Sequence, residues 1–156
     1  MRRTVRQWLD SLLHVHDTVE RTAGAFALGV FFGFSPLLGL PTVLGLTFAF
    51  ALRLNRIAVL IGVYSNLPWI IGPYYALSTA AGALLLGTDP PPDLAERVSA
   101  LLTLSPWRRV FWTELVRLVR PWLWPFMLGS TLGAVLLGFV AYRGSFAFLT
   151  ARRARG

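Results

Sequence analysis

The sequence predicts an all-α, polytopic membrane protein with broken or re-entrant helices and flanking amphipathic interfacial helices. Composition is the first reason. The 156 residues are 55% hydrophobic and only 14% charged, where a soluble domain carries about 25% charged residues. The second is a gap in charge: between Arg21 and Asp89 the only ionisable side chains besides tyrosines are Arg53 and Arg56. The third is length and punctuation. Residues 22–52 and 57–87 are uncharged and longer than the ~20 residues of a plain spanning helix. Each is interrupted by proline, which removes a backbone donor and clashes with the preceding turn. Irregular backbone survives in lipid only where protein or a water-filled cavity covers it, so function is sought at the breaks.

The chain divides into an amphipathic N-terminal helix (1–21), a membrane core of two broken elements (22–87), interfacial amphipathic helices (88–120), a C-terminal membrane helix (121–150) and a basic tail (151–156). In residues 3–20, Val5, Trp8, Leu9, Leu12, Val15, His16 and Val19 recur at helical spacing. Such a helix lies in the membrane interface or packs on the rest of the protein. His14 and His16 point about 200° apart on a helix and cannot share a metal there. Asp10, Asp17 and Glu20 interrupt any apolar run after the first arginines, unlike a signal peptide.

The first broken element comprises half-helices 22–34 and 42–52 around Ser35-Pro36 and Gly39-Leu40-Pro41. The second carries Asn66-Leu67-Pro68 and then Gly72-Pro73. Each element is either a re-entrant hairpin with both ends on one side or a broken crossing. Short basic loops favour the cytoplasmic side, which favours hairpins. Gly29–Gly33 and Gly129–Gly133 are GxxxG motifs, which permit close helix approach and predict a homo-oligomer.

After the turn at Asp89-Pro90-Pro91-Pro92, residues 93–104 form a short helix, and Ser105 caps another that starts at Pro106. On the latter, Arg109, Thr113, Arg117 and Arg120 share one face, and Trp107, Phe111, Leu115 and Leu118 another. Trp107, Trp112, Trp122 and Trp124 form an aromatic belt, so this segment lies flat and turns inward at Pro121. Residues 122–142 make one span. The C-terminal arginines then lie outside, or stay inside if residues 145–150 dip back.

Net charge is +8, from 15 basic residues, all arginine, and 7 acidic ones. Arginines flanking apolar segments indicate anionic headgroups rather than nucleic acid. Lack of cysteine excludes thiolate chemistry and disulfides. No carboxylate lies in the core, both histidines precede it, and no phosphate-cradling glycine loop occurs. The sequence therefore predicts no enzyme, metal or cofactor. The remaining candidates are substrate-binding: Ser35, Pro36, Gly39, Pro41, Asn66 and Pro68 at the breaks, with Thr42 beside them, and Arg53, Asn55 and Arg56 in the link. Half-helix ends expose backbone groups and partial charge, though the same polar residues also serve as local caps. Residues three apart on a helical turn share a face, so Arg53 and Arg56 are expected to grip one phosphate. Tyr64, Tyr74 and Tyr75 read as packing or interface residues.

Gly29, Gly33-Phe34-Ser35-Pro36, Gly39 and Pro41, then Arg53-Leu54-Asn55, Asn66, Pro68, Pro73-Tyr74-Tyr75 and Gly82 form a pattern over roughly 65 residues. In it the chain resembles the bacterial membrane family catalogued as domain of unknown function 2062. The resemblance implies an integral protein of the bacterial inner membrane without an assigned activity, its N-terminus cytoplasmic by the charge rule. Fusion of this domain to a glycosyltransferase in some members implies a link to envelope polysaccharide or lipid-carrier handling. Two functions follow as expectations. One is binding or translocation of an anionic lipid or lipid-linked envelope precursor. The other is a non-transporting scaffold that positions envelope biosynthesis enzymes through residues 93–120.

Overall fold

A computed structural model describes residues 18–37, 39–89 and 92–154, and every regular element among them is helical. The helices are α1 (Val19–Phe34), α2 (Pro41–Ala51), α3 (Arg56–Val63), α4 (Pro68–Leu86), α5 (Leu94–Thr103), α6 (Arg109–Val119) and α7 (Leu123–Arg153), with a 3₁₀ turn at Arg120–Trp122. Most of the helix expected over 3–20, with His14 and His16, lies outside the described residues. At its end the expectation is corrected: α1 already begins at Val19, because the Thr18 hydroxyl accepts from Arg21 N–H and caps it.

Proline sets the first break. Ser35 precedes Pro36 and is pushed to extended backbone, φ −68 and ψ 158, as proline demands of its neighbour. Gly39 supplies φ +86, and Pro41 opens α2 at a position where a missing N–H is harmless. Residues 64–67 make the second break, and Pro68 opens α4. Gly72-Pro73 makes no break: α4 continues through Pro73. So close to the helix start, little of the intrahelical hydrogen-bond ladder is lost.

One further expectation fails, and one of two open alternatives is excluded. Residues 105–108 form a turn, with Arg108 N–H donating to Ser105 O, and α6 starts only at Arg109. Residues 145–150 do not turn back: α7 is helical to Arg153, with the Ser145 and Thr150 hydroxyls bonded to carbonyls of its preceding turn. Among the described residues, two helical stretches are long and apolar enough to cross a membrane, Pro68–Leu86 and the run Arg109–Arg153.

The described residues form two compact units. The first contains α1, α2, α3 and α7 from Ala134 onward. Its core is Ala25, Ala49, Ala58, Val59 and Val63, with Phe26 and Leu54 against it. Here α1 and α3 nearly touch along small residues: a Cβ on Gly33 would lie 2.6 Å from Val63 O, and one on Gly29 would strike Val59 O. In the second unit, Pro68 to Gly133, α4 meets the start of α7 in the same way. A Cβ on Gly82 would collide with Pro125 O, and one on Gly129 with Ser78 O. Tyr74 Oη donates to Ser130 O across this seam at 2.9 Å. Both GxxxG motifs are thus used for close helix contact within one chain.

Candidate functional site

Eight of the nine expected site residues lie within the three-helix part of the first unit, at its two ends. α1 runs one way, α2 returns, and α3 runs parallel to α1. At one end the two breaks meet: Asn66 Nδ2 donates to Gly33 O at 2.7 Å, tying the second break to the last turn of α1. Ser35 is buried, and its Oγ donates to Phe32 O at 2.8 Å as a C-cap. Pro36, Gly39 and Pro41 shape the loop between α1 and α2; Gly39 is exposed with open space around its Cα. Arg53, Asn55 and Arg56 belong to the opposite end, and the ninth residue, Pro68, opens the other unit.

The far end is built around an irregular turn. Leu54 N–H donates to Ala49 O and Arg53 N–H to Phe50 O, the paired pattern in which the residue past the cap is left-handed. That residue is usually glycine; here it is Arg53, at φ 52. The same two bonds end α4, where Thr88 N–H donates to Ala83 O and Gly87 N–H to Leu84 O, and there Gly87 takes φ +61. Asn55 then caps α3, its Oδ1 accepting from Ile57 and Ala58 N–H at 3.0 and 3.1 Å.

The helical spacing expected to align Arg53 with Arg56 does not exist, because 52–55 is a turn. Arg56 instead lays its guanidinium over the Phe50 ring, 3.9 Å from the centroid. Arg21 completes this end: its guanidinium donates to Leu52 O at 3.2 Å and Arg53 O at 2.9 Å. The two ends of residues 22–52 are therefore joined.

Beside this end opens a groove of about 570 Å³ between α1, α3 and α7. Phe26, Ile57, Ile61, Phe148 and Leu149 line it, with Thr22, Asn55 and Ser145 as its polar groups. Gly138 of α7 lies against Ala27 and Phe31, whereas residues 141–149 lie along Thr22 and Phe26. So α7 runs antiparallel to α1 and brings Arg152 toward the end that holds Arg21, Arg53 and Arg56. Arg152 sits over the ring of Phe148, 6.0 Å away.

Among the described residues of this unit the sole carboxylate is Glu20. The ion pairs described are Arg97–Asp93 and Arg117–Glu114, both in the other unit, and Arg53, Arg56 and Arg152 take no part in one. None of these arginines lines the groove, but Arg53 and Arg56 flank Asn55, which does, and Arg152 lies one helical turn beyond Phe148, which also does; an apolar cleft with cations nearby suits an amphiphile with a negative head. No metal-ligand cluster occurs among the described residues.

Sequence reasoning missed Arg21 and Arg152. Nothing local links Arg21 to carbonyls 31 and 32 positions later. For Arg152 a signal existed: Ala141, Ser145, Phe148 and Arg152 recur every three or four residues, provided the helix is taken as continuous.

No curated protein and no solved structure matches this chain. Over residues 2–156 it matches the family described as an uncharacterized protein conserved in bacteria (DUF2062), and the chain belongs to that family.

Proposed function

We propose that this is a non-enzymatic bacterial inner-membrane protein that binds an anionic lipid or lipid-linked envelope precursor in the groove between α1, α3 and α7. The carrying observation is the pairing of that apolar groove with Arg53, Arg56 and Arg152 near one end, none of which forms an ion pair among the described residues. Membrane placement is supported by the two apolar helices and by leucines that α4 leaves outward, Leu77 at 72% and Leu84 at 84% exposure. In water such faces would be a liability. At about 24, 16 and 12 Å, α1, α2 and α3 are each too short for a ~30 Å hydrocarbon core. With Arg21 bonded to Leu52 and Arg53, this favours a re-entrant hairpin with both ends cytoplasmic. The absence of any carboxylate between residues 22 and 88 fits passive lipid exchange better than proton-coupled pumping.

Native mass spectrometry of the protein released from anionic membranes tests the reading. Arg53→Gln with Arg56→Gln is expected to reduce bound anionic lipid about tenfold, the worth of a charge-assisted contact. Lysine at both sites should retain only part, since it lacks the bidentate fork. Gly144→Leu, which places a side chain beside the groove, should lower occupancy without removing charge. Full retention in the glutamine pair would overturn the proposal. Full retention in the lysine pair would reduce the arginines to topology anchors. The scaffold reading predicts that a labelled anionic lipid keeps its leaflet distribution in proteoliposomes.

A further inference from the structure

Helix α6 has three faces, one more than an amphipathic helix needs. Phe111, Leu115 and Leu118 are partly buried, and Leu118 shares a small cavity with Leu101 and Leu104 of the α5 side. A second stripe, Trp112, Val116 and Val119, follows i, i+4, i+7 spacing, yet these residues are 57, 61 and 42% exposed. Beside it runs the third stripe of Arg109, Thr113 and Arg120.

We propose that α6 is an interfacial helix that seats the Trp112–Val116–Val119 stripe in an anionic lipid surface, with Arg108, Arg109 and Arg120 at the headgroups. Three observations select this occupant. First, α6 passes through the 3₁₀ turn Arg120–Trp122 directly into α7, in a run long and apolar enough to cross a membrane. The stripe therefore lies next to the depth at which such a helix enters lipid. Second, the charge is complementary to an anionic surface. Arg97 and Arg117 are neutralised by Asp93 and Glu114, whereas Arg108, Arg109 and Arg120 form no ion pair among the described residues. Third, the Trp112 indole N–H already donates to Pro106 O at 2.9 Å. Its ring can enter an apolar medium without leaving a donor unpaired. The inference rests on the membrane reading of α7 and is independent of the groove in the other unit.

The chain has no cysteine, so single spin labels at Val116→Cys and Thr113→Cys report the two stripes. The protein is placed in vesicles of phosphatidylglycerol or phosphatidylcholine, with lipid-soluble oxygen and a water-soluble nickel chelate as relaxing agents. The Val116 label should favour oxygen several-fold in phosphatidylglycerol, and the Thr113 label should favour nickel. Arg108→Gln, Arg109→Gln and Arg120→Gln together should reduce the oxygen preference at Val116 several-fold in phosphatidylglycerol only, and lysine at the same sites should keep it. Equal nickel access at both labels would place the stripe in water and overturn the proposal. Protection of Val116 from both agents would assign the stripe to a protein partner and overturn it too. No difference between the two lipids would overturn the anionic part.

Discussion

Arg53 occupies a backbone conformation that the same chain fills with glycine elsewhere. The motif ending α2 and the motif ending α4 share their two hydrogen bonds, but one holds Arg53 at φ 52 and the other Gly87 at φ +61. A left-handed residue with a Cβ costs roughly 1–2 kcal/mol, and such strain persists where the surroundings over-determine it. Here Arg21 holds the Arg53 carbonyl, and Leu54 is packed on the core. Arg53→Gly is therefore expected to raise unfolding free energy by about 1 kcal/mol while lowering bound anionic lipid. Arg53→Lys should leave stability unchanged, because lysine meets the same steric limit. Thermal unfolding in detergent beside lipid occupancy checks both; a less stable glycine variant would mean that the arginine side chain itself supports the turn. Asn55 was legible as a polar residue between apolar runs, and its cap geometry explains that position. The conformation of Arg53 was not legible, since glycine is the residue that ordinarily marks such a site.

At the scale of elements, proline and the small residues carry most of the architecture. Pro36, Pro41 and Pro68 mark helix boundaries as their chemistry predicts. Pro73 does not, because within the first turns of α4 its missing donor matters little. The glycines announced close approach but not its partner. Gly29 and Gly33 meet Val59 and Val63 of α3, and Gly129 meets Ser78 of α4; a spacing rule has no term for which helix arrives. Gly129→Val should therefore open the seam between α4 and α7, costing about 2 kcal/mol by overpacking. Its signature is increased labelling of a cysteine at Ser78, buried in the wild type. If that site stays closed while a crosslinked dimer disappears, the glycine face serves association between chains instead. The continuous α7 was hidden because Gly144 and Ser145 resemble an ending; serine hydroxyls bonded back to carbonyls let the helix pass.

For the molecule as a whole, sequence order misled most about the site. The link at 53–56 lies between the two broken stretches, so breaks and arginines read as one locus. Folding α2 back on α1 separates them to opposite ends of the first unit. The hairpin also fixes a topology test. Arg21 is unsuitable for labelling because it binds Leu52 and Arg53, but its neighbours are available. Glu20→Cys and Leu52→Cys should react with an impermeant thiol reagent from the same side of the membrane. Reaction from opposite sides would replace the proposed re-entrant topology with a broken crossing.

The contact of Arg21 with the carbonyls of Leu52 and Arg53 also bears on the order of events during synthesis. The chain emerges N-terminus first, and residues 19–34 form a helix too short to rest across a bilayer. Its guanidinium has no partner at 52–53 until some thirty further residues have left the ribosome. The first hydrophobic segment is thus expected to wait at the insertion machinery and enter with α2 as a closed pair. A nascent chain arrested before Leu52 should remain extractable by alkali, and one released beyond Leu54 should not.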